Sequence, residues 1–479
     1  MATDETAFVP AAEMATLRED GQALAGVSGR SIALFHHEGE VYAVDNRCPH
    51  MGFPLTEGTV DEGVLTCHWH HARFELAGGD TFDPWADDVQ TFPVRVEDGT
   101  VYVDPDPEPD VPPATHWRNR LVDGMQEDIG LVMAKAVIGL DNAGEGYTTP
   151  LSTAVDFGTT YRDAGWGSGL TILTAMANVQ SVLDPQDRRR ALYTGVREVA
   201  SDCAVQQPTF DQTGFSTSEA SKARLKSWYR ENVDLRDDDA AERTLRTAIG
   251  TLPPEDVAEL TFAAATDHLY MASGHALDHL NKAFEVLDHV GWDHAPAVLA
   301  STIHNVTDAA RSEERSAWRQ PIDLAALCFD FHDDLPALVA AGADADWERP
   351  EGFVDTLLTD DPHAIDDALR GAVEAGATSE QLAHAVAVAA MERVVRFSTG
   401  NEFNDWNTVH HTFSYANAAE NLARRTDADD VYKACWDGAM SVYLDRFLNQ
   451  PEAPLPDPGE GADEDPEELR ERLLDTFDE

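Results

Sequence analysis

The chain has 479 residues, more than a single hydrophobic core accommodates. With 43% hydrophobic and 8% aromatic residues it reads as a folded, multidomain protein. Eighty-eight acidic residues against 34 basic ones give a formal net charge of −54, which argues against a protein that grips phosphate backbones, so no nucleic-acid partner is expected. No run of about 18 apolar residues is available to cross a membrane, and the first ten residues carry Asp4 and Glu5 in place of a basic, then apolar, leader. A cytoplasmic protein with no membrane insertion is expected.

Residues 1–104 predict β-structure. Short apolar runs at 31–35 and 41–44 are split by His36-His37-Glu38-Gly39-Glu40, and Gly-containing turns recur at 61–63, 78–79 and 98–99. Asp98-Gly99 lies between Val94-Arg95-Val96 and Val101-Tyr102-Val103, a hairpin signal. Prolines then crowd residues 105–116, and such a segment is expected to be a stiff, charged linker.

Residues 117–450 switch to helical periodicity. Leu121, Met125, Ile129, Val132 and Met133 fall on one helical face. Asp184-Pro185, Pro253-Pro254-Glu255-Asp256 and Thr378-Ser379-Glu380 read as helix starts. Roughly ten or more helices are expected at ordinary lengths, so the fold class is an all-β domain followed by an all-α helical bundle. Asn281-Lys282-Ala283-Phe284-Glu285 after His275 loosely matches Asn417-Ala418-Ala419-Glu420 after His410, a hint of duplication. Residues 451–479 form an acidic, proline-rich tail with one short terminal helix expected near its end.

Lysine is scarce and acidic residues are spread over the whole chain. This composition resembles that of salt-adapted archaeal proteins, and the acidity is read as a halophilic adaptation to solvent rather than as a binding site. The five cysteines are odd in number and widely spaced, unlike a disulfide framework. Cys203, Cys328 and Cys435 read as buried thiols, whereas Cys48 and Cys67 have partners at metal-ligand spacing.

Those partners make the segment Cys48-Pro49-His50, sixteen residues, then Cys67-His68-Trp69-His70. The pattern resembles the Rieske-type [2Fe–2S] family. The resemblance implies a cluster with Cys48 and Cys67 on one iron and His50 and His70 on the other. Two neutral imidazoles in place of thiolates raise the potential from about −400 mV to roughly −150 to +300 mV. Gly52 and Gly63 are expected to admit close backbone approach, and Phe53, Pro54, Trp69 and Phe74 to shield one side. By spacing, His68 and His71 are not ligands. High-potential members carry an extra cysteine in each loop. Met51, Gly52 and His68 stand at those positions here, which places the domain in the lower-potential ferredoxin or oxygenase branch.

Eleven of the 18 histidines lie between His268 and His411. His268, His275 and His279 share a helical face, with Asp278 beside them, and His304 and Asp308 are spaced i, i+4. His275, His279, His304 and His410 are the candidates for a second metal site, against the alternative that they serve polar faces and caps. No Glu-x-x-His pair occurs there. His289-x4-His294 has the spacing of an oxygenase iron site but the wrong preceding carboxylate and a helical context, so it is read as coincidence. The His410-His411 helix, in its all-helical setting, also resembles questin oxidase-like proteins, which implies an oxidative role and transfers no residues. Gly165-Trp166-Gly167-Ser168-Gly169 lacks the dinucleotide order, so electrons are expected from a separate reductase. The chain is thus expected to carry single electrons for an oxidoreductase or oxygenase-type reaction, with the helical domain as a module for a small-molecule substrate or a partner. The alternative is a non-enzymatic fused ferredoxin whose helical domain only docks a partner oxidoreductase.

Overall fold

The structure is a computed structural model. It describes residues 8–109, 111–216, 219–449, 451–454 and 465–478. Residues 1–7 and, within the tail expected at 451–479, residues 455–464 and 479 lie outside the described residues.

An all-β domain comes first, as expected. It comprises β1 (Val9–Glu13), β2 (Gln22–Val27), β3 (Arg30–His37), β4 (Glu40–Asp45), β5 (Thr59–Asp61), β6 (Val64–Thr66), β7 (Arg73–Glu75), β8 (Val94–Glu97) and β9 (Thr100–Val103). These make three antiparallel three-stranded sheets, ordered β1-β9-β8, β2-β3-β4 and β5-β6-β7. The hairpin expected at 98–99 forms, with Glu97 opposite Thr100. Asp98 and Gly99 are both left-handed, the geometry that matches the twist of a two-residue hairpin. Ala33, Phe35, Val44, Leu55, Leu65 and Phe74 fill the core beneath the two cysteine loops.

By contacts the chain divides into two compact units, residues 1–211 with 285–301, and residues 212–284 with 302–479. This division does not coincide with the proline-rich segment, because helices follow at once and pack on the β domain. The first, Pro113–Gln126, starts on Pro112. Its Arg120 reaches the carbonyls of Pro84 and Ala86 and the carboxylate of Asp87, which His116 also contacts. The single face expected from Leu121 to Met133 is two helices. Asp128 takes a left-handed backbone and Gly130–Asn142 begins a new helix, with Leu121, Met125, Val132 and Met133 buried between them. At Gly139 a Cβ would sit 2.1 Å from the Trp117 ring, so only glycine permits this helix crossing. Asp184 caps Pro185–Cys203 through Gln186 and Asp187 N–H, as its sequence predicts.

The second unit is helical throughout. Pro254–Ala265 begins on its prolines, and Thr378 and Gln381 form a capping box at Ser379–Val395. That helix packs with Phe403–Ala423 and the almost wholly buried Asp430–Asp445. Pro466–Asp478 is an exposed helix in the position expected for the tail. No helix among the described residues is long and apolar enough to cross a membrane.

Candidate iron–sulfur centre

Two loops of the same design carry the four sequence-predicted ligands. The first follows β4. Cys48 N–H donates to Phe53 O, and Gly52 N–H donates back to Cys48 O. The second joins β6 to β7. Cys67 N–H donates to Ala72 O, and His71 N–H donates back to Cys67 O. Each reverse turn needs a left-handed residue at its end, Gly52 in one and His71 in the other. His71 is therefore a turn residue. Gly63, expected beside the cluster, instead closes the β5–β6 hairpin and donates its N–H to His37 Nε2.

The turns point both cysteines inward, with Cys67 1% and Cys48 3% exposed. His50 is half-buried and His70 exposed, and their rings stand edge to face, 4.8 Å apart. Burial, with the Cys67 thiol beside it, pushes the Cys48 thiol up to about 11. A pair of buried thiols forms thiolates at neutral pH only beside a cation. The backbone N–H groups of His50 and Met51 already bond the Cys48 sulfur in the sense that favours the thiolate. Burial, His70 and Lys135 hold His50 below the ordinary imidazole range, in the neutral form that can ligate. Two soft sulfurs inside and two imidazole nitrogens outside fit the mixed donor set of a Rieske-type cluster.

The surroundings divide as their chemistry requires. Trp85 packs edge-on against His50 at 4.7 Å, a contact with no local signal along the chain. Trp69, 52% exposed, lies against His70. It covers the ring without burying it, so a path for electrons to solvent remains. The Trp85 loop is anchored on one side by Asp83, which accepts three bonds from Arg73. On the other side Asp87 meets His116 and Arg120. One helical residue reaches the ligand loop itself: Lys135 Nζ donates to Pro49 O and to His50 O, the latter at 2.7 Å.

The helical histidines separate into distinct groups. His275 and His279 are brought together with Asp278, and His411 joins them, its ring 4.5 Å from His275. His304 is elsewhere, between Asp238 and Asp308. His410 is exposed against Trp406. Of the expected foursome, His275 and His279 lie together while His304 and His410 lie apart from them, His410 because neighbours in a helix point about 100° apart. His411 also stands as far before Asn417 as His275 stands before Asn281, a match that singles it out over His410. His268 lies between Glu313 and Asp234. His294 pairs with Asp156, and His289 bonds Asn178 and Tyr147. The last two histidines serve separate contacts, which removes the His289–His294 pair as a metal site. Cys203, Cys328 and Cys435 are buried free thiols.

Residues 7–93 match the model of the Rieske [2Fe-2S] domain. The chain is 42% identical over 74 residues to the 3-phenylpropionate/cinnamic acid dioxygenase ferredoxin subunit of Photorhabdus laumondii, covering 15% of this chain and 70% of that one. It is 38% identical over 84 residues to the ferredoxin component of the alkene monooxygenase system of Xanthobacter autotrophicus, covering 17% and 69%. Human apoptosis-inducing factor 3 is 38% identical over 73 residues, 15% of this chain and only 12% of that protein. Through its N-terminal domain, the chain belongs to the Rieske [2Fe–2S] family.

Proposed function

We propose that this protein is a one-electron carrier whose [2Fe–2S] cluster is held by Cys48 and Cys67 on the inner iron and His50 and His70 on the outer. The single observation that carries the reading is the pair of matched reverse turns, which bury two thiols and leave two facing imidazoles at the surface. When bound, the cluster supplies single-electron transfer. The chain's own residues keep water off the sulfurs, hold the His50 imidazole neutral and leave the His70 edge open to a partner. A separate reductase supplies the electrons, since the sequence offers no dinucleotide site. The relatives named as ferredoxin parts of dioxygenase and monooxygenase systems support delivery to an oxidoreductase reaction.

The helical region is read as a substrate module. A cavity of about 410 Å³ lies within the same compact unit as the β domain, lined by Val137, Tyr147, Pro150, Arg188, Leu192 and His289. At its wall, Asn178 Nδ2 donates to Glu285 Oε2, and Asn178 Oδ1 accepts His289 Nε2–H. That tautomer leaves His289 Nδ1 to accept the Tyr147 hydroxyl at 3.1 Å, a proton relay opening on a pocket of small-molecule size.

Anaerobic purification followed by iron and sulfide analysis and spectroscopy of the reduced protein tests the carrier reading. Two irons, two sulfides and hyperfine coupling to two histidine nitrogens are expected. His70→Cys should remove one nitrogen coupling. A signal with sulfur ligation alone in the wild-type chain would overturn the ligand assignment. Ligand-induced quenching of tryptophan or tyrosine emission that Tyr147→Phe and His289→Ala leave unchanged for every small acid or aromatic tested would favour the docking alternative.

A further inference from the structure

We propose that His275, Asp278, His279 and His411 form a second metal site, in the helical unit, for one divalent first-row transition-metal ion. The site does not depend on the electron-carrier reading of the β domain.

Its geometry follows from local sequence. His275 and His279 are one turn apart and project from one face of the helix His275–Val290, with Asp278 between them. Ligand atoms of these three residues all lie within 4.8 Å of one another. His275 Nδ1 is 3.1 Å from Asp278 Oδ2, and His279 Nε2 is 3.7 Å from Asp278 Oδ1. Two ligand atoms each about 2.1 Å from a metal stand roughly 3–4 Å apart, so these spacings suit a common ion. His411, from the helix Phe403–Ala423, closes the group with its ring edge-on to His275.

Three observations point beyond a polar cluster. Asp278 Oδ1 is buried and has no hydrogen-bond partner among the described residues. A buried carboxylate oxygen without a donor is costly, and a cation would satisfy it. His279 Nδ1 is bonded by the Asn305 amide at 3.0 Å. With the amide oxygen turned to the ring, Nδ1–H donates to it and the Nε2 lone pair is aimed at Asp278, the arrangement that supports metal-bound histidines. The backbone just ahead is strained: Tyr270, Ala272 and Ser273 are left-handed, followed by Gly274. Tyr270 N–H donating to Asp437, Ser312 Oγ donating to Tyr270 O, and Ala272 N–H donating to Ala310 O hold it there. Non-glycine residues adopt that conformation only at a cost, and it sets the direction in which His275 enters its helix.

Imidazole nitrogen with one carboxylate oxygen suits the iron-to-zinc series and neither calcium nor magnesium. The test uses the full chain, treated with chelator and titrated with Co(II) as probe. One equivalent with ligand-field bands, beyond the metal of the cluster, is expected. Asp278→Asn and His411→Gln should each weaken Co(II) binding by at least about 100-fold, and Asn305→Ala by about 10–100-fold. His410→Ala and His304→Ala should leave it unchanged. Circular dichroism melting separates lost binding from lost folding, and His279→Gln serves if Asp278→Asn unfolds. Absence of the Co(II) bands, or bands that persist in folded Asp278→Asn and His279→Gln, would overturn the site. An intact cluster spectrum in the same samples would leave the carrier reading standing. Loss of the cluster spectrum with the Co(II) bands retained would do the reverse.

Discussion

Lys135→Met should lower the reduction potential of the cluster. Lys135 sits on a helix outside the β domain, yet its ammonium donates to the carbonyls of Pro49 and His50, within the first ligand loop. Reduction adds one negative charge, so removing a nearby positive charge disfavours the reduced form. At roughly 10 Å and an effective dielectric near 20, one unit charge is worth about 1.7 kcal/mol. Lys135 is half-buried, so solvent and salt screen part of this, and about half should survive. With about 1.4 kcal/mol per tenfold and 59 mV per tenfold for one electron, a downward shift of about 35–70 mV is expected. A redox titration followed by the signal of the reduced cluster, at low and at molar salt, measures it. Lys135→Arg should keep most of the potential, and the difference between wild type and Lys135→Met should shrink with salt. An upward shift, or one below 10 mV at low salt with the fold intact, would refute the electrostatic reasoning.

Three further outcomes follow from particular contacts. The Asp87 hydrogen bond raises His116 above the ordinary imidazole range. The stability it lends is present below about pH 6.5 and lost as pH rises through the raised value. His116→Ala should flatten that arm of the pH–stability curve, read by hydrogen exchange in Pro113–Gln126, and an unchanged arm would count against the pairing. Burial pushes Asp437 up to about 7, against the bonds from Tyr270 N–H and Tyr415. Its raised value means stability is lost between pH 4 and 7, by roughly 4 kcal/mol at most, and Asp437→Asn should remove that slope in thermal melts. Gly139→Ala would drive a Cβ into Trp117, so a loss of about 1–3 kcal/mol in denaturant unfolding is expected, and a neutral result would show that the helices can part cheaply.

The cluster loops were legible in the sequence because their chemistry is local. A cysteine and a histidine two or three residues apart on one reverse turn, repeated in a second loop, point to a metal site without reference to the rest of the chain. The 98–99 hairpin and the starts at Asp184, Pro253 and Thr378 were legible for the same reason, since a side-chain cap or a proline's fixed φ acts within three residues. The face read from Leu121 to Met133 failed at Asp128 because apolar periodicity continues across a break when both helices bury the same side. His410 and His411 could not be told apart by residue type. The spacing before Asn417 favours His411, and the packing of Phe403–Ala423 brings that neighbour, turned about 100° from His410, against His275. Lys135 lies 85 residues from His50, and the number of ways to place a side chain that distant is too large for pattern to settle. Composition and local spacing determined the β domain, its four candidate ligands and the helical class. Tertiary structure alone decided which helices touch the ligand loops and which histidines share a carboxylate, because those contacts depend on how faces pack and not on spacing along the chain.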